Sequence, residues 1–205
     1  MTPAPEVLVV RTGAANLASV MAGLERSGAR ARLTRDPAEV AAAAYLVLPG
    51  VGAFGAAIEE LRSHGLIEAL RERIEDDRPS LCVCLGLQLL ARSSEESPGV
   101  RGLNLLPLDA GRFAGSVRVP QLGWNRIEPE PGCDLLHAGH VYFANSYRLT
   151  EKPAGWNVAW CEYGGRFVAA VERGNVLGCQ FHPELSGAFG QALLERWLSM
   201  EPKLC

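Results

Sequence analysis

The chain has 205 residues, of which 48% are hydrophobic and 21% are charged, and its formal net charge at pH 7 is −3. This length and composition are typical of one globular domain with a full hydrophobic core, so we expect a single domain over residues 1–205. Because a small negative net charge provides no basic field for nucleic acid or acidic membranes, we predict neither kind of partner.

The N-terminal stretch MTPAPEVLVV contains no lysine or arginine. Its apolar run is much shorter than the core of a signal peptide or a membrane span, so we expect a cytoplasmic protein. The run at residues 6–10 instead predicts a first β-strand.

The first half of the sequence alternates between strand-like and helix-like segments. Leu17, Val20 and Leu24 recur at helical spacing, and the pair Asp36-Pro37 is typical of a helix start. In chain order we predict strand 6–10, helix 16–27, strand 30–33, a helix from 36 through 44, strand 45–48, helices over 54–61 and 66–74, strand 81–83 and a helix over 87–91. This alternation predicts a parallel sheet with helices on both faces, in which sites gather at the carboxyl ends of the strands.

From Arg92 onward the sequence changes character. The stretch SSEESPG predicts a polar loop over 93–99, and residues 103–173 are short β-like pieces broken by Pro and Gly. The candidate strands are 124–128, 140–144, 157–162 and 167–172, with Gly164-Gly165 as a hairpin turn. We interpret them as an antiparallel extension of the same sheet, followed by a strand over 176–181 and a helix over 187–200. The predicted fold class is therefore α/β, with a mostly parallel sheet and an antiparallel β extension in the second half.

The stretch PSLCVCLGLQLL places Cys84 at the end of a short apolar strand. We expect Gly86 to permit a tight reversal and a helix to begin at Leu87. Such a strand-to-helix elbow holds a nucleophile beside backbone N–H groups and the positive end of a helix, which favour a thiolate and an oxyanion. A buried strand cysteine is the alternative, and this stretch does not decide between the two.

The other cysteines indicate no further chemistry. The chain has six, at positions 82, 84, 133, 161, 179 and 205, and they show no repeated metal-ligand spacing. Without a secretion signal they are better interpreted as reduced thiols than as a disulfide framework. We predict no metal site and no cofactor.

His182 is the histidine with a catalytic context. In CQFHPEL it ends an apolar strand, and Glu184 follows two residues later. In an extended chain these side chains face the same way, so the carboxylate could orient the imidazole while its other nitrogen faces Cys84. A structural strand-end histidine or half a metal site are the alternatives, and Cys84 at the end of another parallel strand favours the catalytic interpretation. His64, His137 and His140 lack such neighbours and are predicted to be surface or loop residues.

The turn PGVGAFG has its glycines in the spacing of a dinucleotide-binding fingerprint, between a strand and a helix. The turn follows the third strand rather than the first. The acidic residues about 20 positions later precede the next strand instead of ending it. Both features weaken the case for a nucleotide-binding site. The alternative is an oxyanion hole formed by backbone N–H groups near Val51 together with that of Leu85.

Two polar side chains near the elbow are candidates for ligand contact. Gln88 lies one helical turn beyond Cys84, and helix side chains lean toward the N-terminus, so its amide points back at the site. We favour ligand contact over a structural hydrogen bond for Gln88. Glu96, in SSEES, is by itself more typical of a solvated loop acid.

Taken together, CLGLQLL, PGVGAFG and QFHPELS resemble the triad-type (class I) glutamine amidotransferases. GAANLASV, VPQLGWN at 119–125 and YFANSYR at 142–148 are similar to the glutaminase subunits of imidazole glycerol phosphate synthase. The resemblance implies a flavodoxin-like three-layer sandwich and hydrolysis of L-glutamine to glutamate and ammonia. It implies a triad of Cys84, His182 and Glu184. The residues that it implies bind glutamine are Gly52, Gln88, Glu96, Ser146 and Tyr147.

The resemblance also implies a partner. In that family a barrel-shaped cyclase subunit forms a heterodimer with the glutaminase, takes the ammonia through a channel, and forms imidazole glycerol phosphate and an aminoimidazole carboxamide ribonucleotide in histidine biosynthesis. Asn16 and Trp124 resemble part of the docking face, although a core aromatic is an equal alternative for Trp124.

The sequence departs from the family pattern at several positions. Cys82 replaces a glycine, and we expect the elbow to tolerate it. The other departures are Arg11-Thr12, Ala14-Ala15, Gln121 and Leu185, which we expect to affect docking or coupling rather than the triad.

Two rival interpretations remain. One is a glutaminase that serves a pyridoxal phosphate or anthranilate synthase, which GWN and NLASV disfavour. The other is a non-catalytic binding homologue, which is disfavoured because every triad position is filled.

Overall fold

The computed structural model describes residues 4–13 and 16–200. The elements, in chain order, are β1 (Glu6–Val10), α1 (Leu17–Arg26), β2 (Arg30–Thr34), α2 (Pro37–Ala42), β3 (Tyr45–Leu48), α3 (Phe54–Ser63), α4 (Leu66–Glu75), β4 (Ser80–Val83), α5 (Leu85–Leu89), β5 (Ala91–Ser94), β6 (Leu106–Arg112), β7 (Gln121–Pro129), β8 (Gly139–Asn145), β9 (Tyr147–Arg148), β10 (Asn157–Glu162), β11 (Arg166–Arg173), β12 (Val176–Cys179), one 3₁₀ turn (Pro183–Leu185) and α6 (Gly187–Leu198). No helix in these ranges is long and apolar enough to cross a membrane.

A nine-stranded sheet has the order β2-β1-β3-β4-β12-β11-β10-β7-β8. The first five strands in this order are parallel, and the remaining neighbours pair antiparallel. The predicted α/β class with an antiparallel extension is therefore confirmed. In the parallel part Val83 pairs with Cys179, so β4 and β12 end side by side. This pairing brings the residues that follow the two strands to one edge of the sheet.

Two apolar cores lie on opposite faces of the sheet, which confirms the three-layer arrangement. Leu70 and Leu87 belong to the core under α2, α3, α4 and α5. Leu24 and Trp197 belong to the core under α1 and α6. Helices α1, α3, α4 and α6 each bury one side against the sheet, and this burial is the main stabilising contribution.

The helix after Asp36 ends earlier than predicted. Asp36 caps it as expected, because its carboxylate accepts the Ala38 N–H at 2.8 Å. The helix ends at Ala42 rather than at residue 44, since Ala43 is extended. The buried guanidinium of Arg73 accounts for this end, because it donates to the carbonyls of Val40 and Ala43 and so replaces helical hydrogen bonds.

Residues 91–94 form a strand, so the predicted helix over 87–91 and polar loop over 93–99 are wrong at these positions. β5, β6 and β9 form a separate three-stranded sheet that the sequence did not suggest. Side chains explain the pairing of β5 with β6, because Arg92 and Ser93 both donate to the carboxylate of Asp109. The hairpin at Gly164-Gly165 is confirmed, with positive φ at both glycines. The last strand ends at Cys179 rather than at residue 181.

Candidate active site

Cys84 is the residue at which the chain reverses between β4 and α5. Its φ of 54° and ψ of −108° lie in a region that non-glycine residues seldom adopt. Its N–H donates to the carbonyl of Cys179 at 2.6 Å, and its own carbonyl accepts the N–H groups of Leu87 and Gln88. The elbow is thus confirmed, but the strained residue is the cysteine itself. The helix begins at Leu85 rather than at residue 87.

Gly86 is required at the elbow by close packing rather than by backbone freedom. A Cβ on Gly86 would lie 2.0 Å from the carbonyl oxygen of Leu48, at the end of β3. A Cβ on Gly50 would lie 2.5 Å from the Cβ of Leu85. The backbone of the turn at Cys84 is therefore in close contact with the backbone of the glycine turn that follows β3.

His182 and Glu184 form a buried pair. The imidazole Nδ1 lies 2.8 Å from Oε1 of Glu184, and the two side chains are 6% and 4% exposed. The expected contact is present, although Glu184 lies in the 3₁₀ turn and not in an extended chain as predicted. Ser186 fixes this turn, because its hydroxyl donates to the His182 carbonyl at 2.6 Å and accepts the Tyr142 N–H at 3.0 Å.

The electrostatics of His182 connect it to Cys84 as well as to Glu184. Burial lowers the pKa of His182, but hydrogen bonds to the Cys84 and Glu184 side chains outweigh burial and raise this pKa from 6.5 to about 10. The imidazole therefore bridges the thiol and the carboxylate, which is the arrangement of an activated cysteine nucleophile. Among the residues described, no cluster of His, Cys, Asp or Glu is placed to hold a metal.

We expect His182 to remain protonated through neutral pH, and its titration by NMR on histidine-labelled protein to have a midpoint far above 6.5. Because the folded-state pKa is raised, the pairing should stabilise the fold fully below pH 6.5 and lose this contribution as the pH rises toward about 10. Cys84→Ala should lower the midpoint, since it removes the first of the raising contacts. A midpoint near 6.5 in the unmodified protein would contradict the bridged arrangement.

A cavity of about 150 Å³ opens beside Cys84. Its lining includes all the residues predicted to bind a substrate or form the oxyanion hole, namely Val51, Gly52, Leu85, Gln88, Glu96, Ser146 and Tyr147. The structure thus brings these side chains and backbone groups together around one space. Their individual roles stay predictions.

Gln88 and Glu96 also serve the surrounding structure. The Gln88 amide nitrogen donates to the Tyr147 carbonyl at 3.1 Å and to Oε1 of Gln180 at 3.0 Å, so its oxygen is left for the cavity. Glu96 accepts the N–H of Phe54 at 2.7 Å, at the first turn of α3. It is therefore a helix-capping carboxylate and not simply a solvated loop acid.

The predicted oxyanion hole is not open in this conformation. The Leu85 N–H donates to the carbonyl of Gly50 at 3.3 Å. That carbonyl belongs to the same peptide unit as the Val51 N–H, the second predicted donor. A rotation of this one peptide would remove the carbonyl and present the Val51 N–H instead.

Four large apolar side chains are exposed on the surface of the described residues. They are Val51, Leu122, Trp124 and Leu185, which are 36%, 59%, 56% and 39% exposed, and Val51 also lines the cavity. The core interpretation of Trp124 is therefore wrong, and Asn16, before α1, is exposed as well. Gln121 does not belong to this surface, because it is only 3% exposed. Of the departures from the family pattern, Ala14-Ala15 lies outside the described residues.

Sequence reasoning missed two buried amides at the site, Asn145 and Gln180. Asn145 lines the cavity, its Nδ2 donates to the Tyr147 carbonyl at 3.0 Å, and its Oδ1 is buried without a hydrogen-bond partner. A buried unpaired oxygen costs about 1–3 kcal/mol, so Asn145 is a candidate for contact with a ligand in the cavity. Both residues lie inside motifs quoted for the resemblance, YFANSYR and QFHPELS, but nothing in their spacing marks them out.

Comparisons with known proteins agree with this geometry. The family described as "Glutamine amidotransferase class-I" matches residues 13–200. The imidazole glycerol phosphate synthase subunit HisH of Syntrophotalea carbinolica is 42% identical over 95% of this chain and 100% of its own length. The chloroplastic imidazole glycerol phosphate synthase hisHF of Arabidopsis thaliana is 41% identical over 97% of the chain, which spans 34% of that protein.

A solved structure described as a glutamine amidotransferase has a TM-score of 0.74 and covers 94% of this chain and 96% of its own, at 23% identity, and so supports the fold. This structural match supports the fold alone, whereas the sequence matches are close enough to decide the family. The chain belongs to the class-I glutamine amidotransferases, in the group of the HisH subunits of imidazole glycerol phosphate synthase.

Proposed function

We propose that this chain hydrolyses L-glutamine through a γ-glutamyl thioester on Cys84 and delivers the ammonia to the cyclase subunit of imidazole glycerol phosphate synthase, in the cytoplasm. The observation that carries the proposal is the buried His182 imidazole, whose Nδ1 lies 2.8 Å from the Glu184 carboxylate and whose pKa is raised by the Cys84 and Glu184 side chains. The proposal that imidazole glycerol phosphate synthase uses the ammonia is based on the names of the sequence relatives.

In the acylation step, the Cys84 thiolate attacks the side-chain amide carbon of glutamine. The imidazolium of His182 then protonates the departing nitrogen, which leaves as ammonia. Glu184 stabilises this imidazolium and holds the ring orientation, because its carboxylate contacts Nδ1. In the second step, water attacks the thioester carbon and gives up a proton to His182, and glutamate leaves Cys84.

The substrate would be held by acceptors at its amino end. Glutamine carries an α-ammonium group, and the cavity offers the Glu96 carboxylate, the Gln88 side-chain oxygen and the unpaired oxygen of Asn145. Ser146 and Gly52 lie in the same lining and can contact the α-carboxylate. These contacts place the carboxamide at Cys84.

The occupied Leu85 N–H implies low activity in the isolated chain. Each donor in an oxyanion hole contributes on the order of a hundredfold to the rate, and this conformation offers the Leu85 donor to Gly50 instead. We propose that docking of a barrel-shaped cyclase on the exposed side chains of Leu122, Trp124 and Leu185 favours the rotated peptide. Docking over the cavity would also keep ammonia from being protonated in bulk water and lead it into the partner's channel.

The test is glutamate release by the purified chain, alone and with a cyclase subunit and its nucleotide substrate. We expect slow release alone and an increase of roughly a hundredfold or more in the complex. Cys84→Ser measured in parallel should release no glutamate above background. Absence of glutamate under both conditions would refute the glutaminase, and fast release by the isolated chain would refute the dependence on a partner.

A further inference from the structure

Gln180 is a fully buried glutamine between β12 and His182. It is 0% exposed, and its side-chain nitrogen lies 3.6 Å from the sulfur of Cys84. Its side-chain oxygen accepts the Gln88 amide at 3.0 Å. The amide therefore joins the nucleophile to a residue that lines the cavity.

The orientation of this amide follows from one backbone group. The Tyr147 carbonyl can only accept, so the Gln88 atom facing it at 3.1 Å must be the NH₂ group. The same NH₂ group faces Gln180, whose atom at that contact must then be the oxygen. The remaining end of Gln180, which faces Cys84, is consequently its NH₂ group. With the ends of Gln88 exchanged, its side-chain oxygen would lie 3.1 Å from the Tyr147 carbonyl oxygen, and two acceptors at this distance repel each other.

An N–H donor aimed at sulfur acts selectively on the charged form. A neutral thiol is a weak acceptor and a thiolate a strong one, so a hydrogen bond from a fixed, fully desolvated amide stabilises the thiolate. His182 supplies the proton acceptor for Cys84, whereas Gln180 has no proton to exchange and only stabilises the charge. We propose that Gln180 is a further catalytic residue, whose amide donates to the Cys84 thiolate in an orientation set by Gln88 and the Tyr147 carbonyl.

The same chain of amides links the cavity to the nucleophile. A role for this link in catalysis rests on the proposed binding of glutamine in the cavity. Gln88 keeps its oxygen for the ligand while both N–H groups bind protein. A donor on the substrate that binds this oxygen polarises the Gln88 amide and strengthens its bond to Gln180. Occupation of the cavity would thus strengthen the hydrogen bond to the thiolate.

The test measures the rate of Cys84 alkylation by iodoacetamide as a function of pH, with the labelled peptide located by mass spectrometry. The titratable side chains around Cys84 and Gln180 are His182, Glu184, Cys179, Glu96 and Tyr147, and all remain in the variant Gln180→Met. We expect the half-maximal rate of Gln180→Met to shift to higher pH by about one unit or more, with a neutral-pH rate at least about tenfold lower. In the complex, kcat should fall by a similar factor while KM for glutamine changes much less.

Two more variants distinguish a local effect on the Cys84 thiolate from a general folding defect. Gln180→Glu keeps an acceptor for Gln88 but places a negative charge at the sulfur, and should shift the alkylation profile further in the same direction. Gln121→Met is the matched control, because Gln121 is a buried glutamine beside Cys161 that does not line the cavity. It should keep the profile of the unmodified protein.

An unshifted profile in the two Gln180 variants, or an equal shift in Gln121→Met, would overturn the proposal. The alkylation assay is independent of turnover. A shifted profile in a protein that never hydrolyses glutamine would support Gln180 and refute the proposed function, whereas hydrolysis with an unshifted profile would do the reverse.

Discussion

Replacing Cys84 with alanine is expected to lower glutamate release in the cyclase complex by at least about 10⁴-fold. Without the sulfur there is no thioester, so only binding and the oxyanion donors remain to assist direct attack by water. The fold should persist, because the substitution removes one atom from a residue with a strained positive φ. Glutamate production is measured by a coupled assay, and stability by denaturant unfolding.

The matched control is Cys82→Ala. Cys82 lies two residues before Cys84, is fully buried, and belongs to the apolar core on the other face of the sheet. Burial raises the pKa of the Cys82 thiol to about 12, which the nearby Arg73 only partly offsets, so Cys82 is an unreactive neutral thiol. We expect Cys82→Ala to lose stability of about 1–2 kcal/mol and to keep its activity.

Combining Cys84→Ala with His182→Ala should cost little more than either change alone, because both residues act in one step. Additive losses in the double variant would show that His182 does not act through Cys84. Retained activity in Cys84→Ala would refute the thioester mechanism.

The parallel half of the fold could be predicted because its signals are local. β1, β3 and the cap at Asp36 follow from apolar runs and capping chemistry within a few residues. The second sheet could not, since β5 pairs with β6 through Arg92, Ser93 and Asp109, which are distant in sequence. The end of α2 depends likewise on Arg73, 31 residues after Ala42, through its bonds to Val40 and Ala43.

At the site, the spacing of motifs predicted which side chains meet but not their bonding. Cys84, His182 and Glu184 were expected together; His182 contacts Glu184, and Cys84 lines the cavity. The bond from the Leu85 N–H to Gly50 depends on the orientation of one peptide, which no residue type specifies. The amide chain through Gln180 was missed for a similar reason, because a glutamine in an apolar strand has no directional signal until its partners are located.

Gly86→Ala is expected to destabilise the fold by about 3 kcal/mol and to lower glutamate release by more than about a hundredfold. Alanine would gain about 1 kcal/mol over glycine from helix propensity, since Gly86 lies inside α5. The clash outweighs this gain, because the new Cβ would lie 2.0 Å from the Leu48 carbonyl oxygen and 3.0 Å from its carbon. Both atoms are backbone at the end of β3 and cannot move without displacing the strand.

The displacement would act on catalysis directly, because Gly86 lies in α5 between Leu85, the predicted oxyanion donor, and Gln88. Denaturant unfolding and the alkylation rate of Cys84 measure the two effects separately. Gly111→Ala in β6 is the control, since its nearest neighbour would lie 3.9 Å away and its stability should change by less than about 0.5 kcal/mol. If Gly86→Ala were as stable and as active as Gly111→Ala, the close packing of the elbow on β3 would not be what positions Cys84.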